Sequence, residues 1–183
     1  MERRRSRLPE SAAVRVYVPA TVPLVRRWLA AGQAPPGRGF AVTPTLREWY
    51  REGDEEEMEY VAQLAAGRGA LDLLDADPDA RRLRVVLAVD VADADVAVDS
   101  SLGRSSVVVG APVPVSDWAS ALIDDEDAES VVSAAVTALG AAAAGDDDAV
   151  FALDEAASYE LGWYALQELP HLFSDSGRAE HDG

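Results

Sequence analysis

LRVVLAVDV, residues 83–91, is the most strand-like stretch of the chain. Valine and leucine fill it almost without a polar break, which predicts a strand buried on both faces at the centre of a sheet. Upstream, VRVYV (residues 14–18) alternates and is rich in valine, so it reads as a second strand. Thr21 then caps a helix that carries Leu24, Val25, Trp28 and Leu29 on one face, and Gly32 ends it. GFAVT (residues 39–43) is a short strand, and Thr43-Pro44 is a cap followed by the favoured first-turn proline. A helix with Leu46, Trp49 and Tyr50 runs to Gly53. Asp54 with Glu57 is an acidic capping box, opening a helix to about Leu74 with Tyr60, Leu64, Leu71 and Leu74 on one stripe. Gly67 and Gly69 weaken that helix by ~1 kcal/mol each relative to alanine.

Downstream of the central strand, residues 92–104 are polar. Residues 106–115 read as a strand whose Pro112 and Pro114 suit a sheet edge. Residues 118–123 fit a strand or a turn of helix equally. Residues 128–139 are helical, and an alanine-rich linker with Asp146-Asp147-Asp148 leads to a last helix, about residues 154–169, stopped by Pro170. Strands alternating with helices predict a single α/β (or α+β) domain over residues 14–173. Its sheet is expected to be mixed and partly parallel, with four to five strands under helical cover. Residues 1–13 read as a disordered leader and residues 174–183 as a flexible tail.

Composition excludes several function classes. The 183 residues contain no Cys, so thiol nucleophiles, zinc-thiolate sites and iron–sulfur clusters are closed. All 16 basic residues are Arg, which closes Schiff-base lysine and the P-loop lysine. Asn is absent as well and Ile123 is the lone isoleucine, the bias of a GC-rich genome. Residues 1–84 hold 14 Arg against 13 acids, a net of +1, and residues 85–183 hold 2 Arg against 20, a net of −18, which together give the −17 of the whole chain. Such a field disfavours direct nucleic-acid binding. There is no apolar run long enough for a membrane span and no secretory signal, which predicts a cytoplasmic protein.

Three segments, VRVYVPAT (residues 14–21), AVTPTLREWYREGDEEEMEY (residues 41–60) and SYELGWYALQELPHL (residues 158–172), resemble an uncharacterised actinobacterial family labelled only as a domain of unknown function. The resemblance spans about residues 14–173 and implies an actinobacterial origin, but no activity. Similar chains begin at the residue matching Val14, and a GTG valine codon also serves as a start. The leader is therefore read as an annotation artefact.

Candidate chemistry is sparse. The acids Asp124-Asp125-Glu126-Asp127, with Glu129, lack calcium-loop spacing and read as helix N-terminal acids. Asp146 to Asp148 read as a solvated turn, so no metal and no cofactor is expected. His181 lies in the tail and His171 follows a helix-breaking proline, leaving a serine triad without its base. Two places remain. Thr21 and Thr43 stand at strand-to-helix junctions with Thr45 and Arg47 close by. If the two strands are parallel, one edge gathers these groups to bind an anionic small molecule, and an enzyme would work there. The last helix, by its 100° periodicity, buries Leu161, Ala165, Leu169 and Leu172, leaving Glu160, Trp163, Tyr164, Gln167, Glu168 and His171 on the opposite arc. An aromatic pair on a polar arc has the make-up of a binding face, against the alternative of a second core layer. The favoured reading is a non-enzymatic, acidic interaction or regulatory module that meets a basic protein surface. The alternative is the small-molecule enzyme at the threonine edge.

Overall fold

The computed structural model describes residues 12–173. The expectations for the leader, apart from Ala12 and Ala13, and for the tail lie outside the described residues. Ala13 itself opens the first strand. The elements in chain order are β1 (Ala13–Ala20), α1 (Val22–Ala31), β2 (Gln33–Ala34), β3 (Gly37–Ala41), α2 (Pro44–Trp49), α3 (Glu55–Ala76), β4 (Val85–Ala92), β5 (Val96–Val98), β6 (Ser106–Val109), β7 (Val113–Pro114), β8 (Trp118–Ile123), α4 (Glu129–Ala143), α5 (Asp147–Ser158), β9 (Gly162–Tyr164) and α6 (Leu169–Leu172).

The mixed α/β class and the single domain hold, but the direction and size of the sheet do not match the expectation. One seven-stranded sheet runs β5-β6-β3-β1-β4-β8-β9, and every pairing in it is antiparallel. The strand–helix–strand rhythm misled for a topological reason. β3 and β4 are each antiparallel to β1 and so point the same way, with α2 and α3 crossing between them. β1 occupies the slot between them, which makes a split β-α-β unit in place of a parallel pair. The extra strands are short: β5 lies inside the polar stretch, and β9 inside the expected last helix.

β4 is central, as its sequence predicts. Val85, Val86, Leu87 and Val89 are completely buried, each worth ~1.5–3 kcal/mol of burial. Alternation splits them between two layers. Val16, Val85, Leu87, Val89, Ala121 and Ile123 face α1, α6 and the small β2–β7 pair. Tyr17, Phe40, Val86, Ala88 and Leu122 face α3. A bulge in β8 places Trp118 opposite Val89, with Ala119 as the extra residue. The bulge turns Trp118 into the α1-side core, where its Nε1 donates to the Val113 carbonyl at 3.2 Å.

α3 begins on the expected capping box, with Asp54 accepting from Glu57 N at 2.9 Å. Its buried face differs from the leucine stripe. Met58, Ala62, Ala66, Ala70, Leu71 and Leu74 face inward, while Tyr60 and Leu64 are exposed. Small side chains bring the helix close to the sheet. A Cβ on Gly69 would lie 3.3 Å from Phe40 and 3.4 Å from Pro19, a tight fit in which both side chains would have to give way. The C-terminal half of α3 packs on the α4–α5 hairpin through Leu71, Leu74, Val132, Ala135, Leu153 and Ala156.

Candidate functional site

The expected last helix does not exist. α5 starts earlier, capped by Asp146 at 2.9 Å from Ala149 N, and ends at Ser158. Residues 159–161 then lead into β9, which pairs with β8 through Gly162↔Ile123, Trp163↔Leu122 and Tyr164↔Ala121. Gly162 and two aromatics favour a strand over a helix. Pro170 is no stop either, since it lies in the first turn of α6, where its missing N–H costs nothing.

The six arc residues are therefore dealt out differently, His171 falling in α6, where it is exposed. Strand alternation sends Trp163 and Tyr164 to opposite faces. Trp163 lies on the α3 side beside Leu122 and is 64 % exposed, on the outermost strand of the sheet. Tyr164 packs on the α1-side core. Glu168 accepts from Ala165 N at 2.7 Å and so caps the turn before α6. Gln167 is exposed, and Glu160 is exposed in the α5–β9 connector.

The threonine edge is also taken apart. Antiparallel pairing of β1 with β3 puts Thr21 and Thr43, each just beyond the C-terminal end of its strand, at opposite ends of the sheet. Both are caps, Thr21 accepting from Leu24 N at 3.4 Å and Thr43 from Leu46 N at 3.1 Å. The Thr43 hydroxyl also donates to the Arg104 carbonyl. Thr45 is exposed. Arg47 forks onto Glu55 at 2.6 and 2.7 Å, a bond that raises the guanidinium pKa further.

The acid run has several separate tasks. Asp125 caps the turn before α4, and Glu126 and Glu129 both hold Arg81. Asp124 is unlike the others. Its carboxylate is fully buried and takes three bonds from Arg84: backbone N at 2.8 Å, Nε at 2.8 Å and Nη2 at 2.7 Å. Nη2 also donates to the Tyr159 carbonyl at 3.0 Å. This pair ties the start of β4, the end of β8 and the connector before β9 to one point. Sequence reasoning missed Arg84, because an arginine at the head of a strand has no local signature and its partner lies 40 residues away.

Around that pair a cleft of about 220 Å³ opens between α3 and the connector. Tyr60, Gln63, Leu64 and Gly67 line it from α3, and Tyr159, Glu160 and Leu161 from the other side, with Arg84 at the base. Next to it, Tyr17 is buried, which pushes its phenol above the ordinary value, while Gln63 at its hydroxyl opposes the shift.

A family model matches residues 14–173. The chain belongs to DUF6912, a family of unknown function. The span covers every element of this DUF6912 chain except the first residue of β1, and takes in both the open β9 edge and the Arg84 cleft. No curated protein and no solved structure matches it. Among the described residues, no helix is long and apolar enough to cross a membrane.

Proposed function

We propose that this DUF6912 chain is a non-enzymatic, acidic protein-interaction module whose contact surface is the outer edge of the sheet at β9, with Trp163 as its anchor. The observation that carries this reading is the position of Trp163, a large apolar ring left 64 % exposed on a strand whose outer side is unpaired among the described residues. An extended partner segment laid along β9 would add a strand by main-chain hydrogen bonds, and the indole would supply the side-chain contact. The acidic field selects a basic segment. An Arg or Lys over the Trp163 ring adds ~0.5–2 kcal/mol, with Glu160 close by in sequence for a second contact. The anionic-ligand enzyme at Thr21, Thr43, Thr45 and Arg47 has less support, since these groups lie apart and Thr43 and Arg47 already have partners.

The reading is tested with a labelled, extended arginine-rich peptide and an acidic peptide of equal length, followed by fluorescence polarisation. The basic peptide is expected to bind and the acidic one not. Trp163→Ala is expected to cost ~2 kcal/mol of binding, about thirty-fold, with an unchanged melting temperature. A variant that folds normally and binds as the parent overturns the edge reading. A variant that melts easily assigns Trp163 to the fold instead.

A further inference from the structure

Arg84 has one nitrogen that the fold does not use. Its side chain is 4 % exposed, and Nε and Nη2 are committed to Asp124 and the Tyr159 carbonyl. Nη1 makes no hydrogen bond among the described residues. The one fully enclosed side-chain polar atom without a partner among those residues is Ser106 Oγ, so Nη1 still reaches accessible space. That space is the cleft. A Cβ built on Gly67 would lie 3.7 Å from Nη1 and 3.8 Å from Leu161 Cδ1. These are ordinary contact distances, so packing does not require a glycine there. Gly67 differs in this from Gly69, one residue beyond its neighbour. A glycine inside a helix costs ~0.5–1 kcal/mol relative to alanine, and here its effect is to keep the approach to Nη1 open.

The charges around the cleft select the ligand. Asp124 neutralises Arg84, and Glu160 adds a negative charge at the rim, so the site does not favour a multiply charged anion. Nη1 offers donors to a carboxylate, and Glu160 offers an acceptor to an ammonium. Leu64, Leu161, Tyr60 and Tyr159 supply apolar and aromatic walls. The volume lies below the roughly 300–1,000 Å³ of clefts that hold drug-sized ligands, which limits the occupant to a few heavy atoms beyond the two charged groups. We infer that the cleft between α3 and the α5–β9 connector binds a free α-amino acid with an apolar side chain, its carboxylate on Arg84 Nη1 and its ammonium on Glu160. Glu160 borders both this cleft and the outer edge of β9, but the cleft site does not depend on the edge reading.

The test is calorimetric titration of the full chain with leucine and phenylalanine. N-acetyl-leucine, which lacks the ammonium, leucinamide, which lacks the carboxylate, and inorganic phosphate complete the panel. At least one free amino acid is expected to bind, both blocked forms at least ten-fold more weakly, and phosphate not at all. Arg84 itself is a poor probe, because its loss strands Asp124. Gly67→Ala fills the space over Nη1 and is expected to weaken binding at least ten-fold without lowering the melting temperature. Leu64→Glu, on the exposed wall, brings a carboxylate against the ligand's own and gives the same loss if Gly67→Ala does not fold. Glu160→Gln is expected to abolish the preference for leucine over N-acetyl-leucine. Absence of binding by both amino acids at millimolar concentration overturns the inference. So does equal binding of the blocked forms, tighter binding of phosphate, or undiminished binding by a folded Gly67→Ala or Leu64→Glu variant.

Discussion

At the scale of single residues, the Arg84–Asp124 pair is the most consequential contact. Asp124 is fully buried and Arg84 is buried apart from its Nη1, so removing one partner leaves an uncompensated buried charge. Arg84→Ala is expected to cost ~3–5 kcal/mol in a urea melt, while Arg84→Met combined with Asp124→Leu recovers most of that loss. A single variant that melts like the parent would show that water reaches Asp124. Tyr17 makes a prediction about alkali. Burial raises its phenol above the ordinary value of 10.0, so the unfolded chain gives up this proton first. The stabilisation is complete below about pH 10 and is lost as the pH rises through the folded value. Tyr17→Phe is therefore expected to flatten the fall of the urea midpoint above that pH, and an unchanged slope would assign the fall to other groups. What the sequence revealed at this scale was local chemistry. Thr21, Thr43 and Asp54 cap helices as expected, because a cap and its target lie three residues apart. Arg84 was invisible because its bonds are not local.

At the scale of elements, the two glycines of α3 separate packing from vacancy. Gly69 sits against Phe40 and Pro19, so an added methyl must push them aside, whereas a methyl on Gly67 would meet Arg84 and Leu161 at ordinary contact distances. Gly67→Ala is expected to stabilise the chain by ~0.5–1 kcal/mol, and Gly69→Ala to gain less or to lose, as measured by thermal melts of the two variants. The reverse order would mean that the cleft closes around Gly67 in solution. The misread last helix has a comparable cause. Leu161, Ala165 and Leu169 recur at helical spacing, but the connector before β9 places Leu161 on the α3 side and Leu169 reaches the opposite core from α6. A periodicity shared by three residues does not distinguish these arrangements. Gly162 and the Trp163-Tyr164 pair, read by propensity, were the signal that a strand interrupts there.

At the scale of the whole molecule, the acidic half repels itself. Raising salt from about 0.01 M to about 0.15 M shortens the screening length from about 30 Å to about 8 Å, so the melting temperature is expected to rise over that range. A flat response would mean that bridges such as Arg15–Asp90 and Arg81–Glu126 already neutralise the field locally. Sheet direction was beyond the reach of sequence for a reason that belongs to this scale: nothing in VRVYV says that it will lodge between two later strands. That placement also sets a timetable. β1 is the first strand of the sheet to be made; Val16 meets Ala41 of β3 early, yet its other edge must wait for Val89. At about 5–20 residues per second, that delay is roughly 4–14 s. For those seconds one edge of an apolar strand is available to any other strand edge, and the chain's exposure to aggregation is decided during synthesis, before its sheet can close.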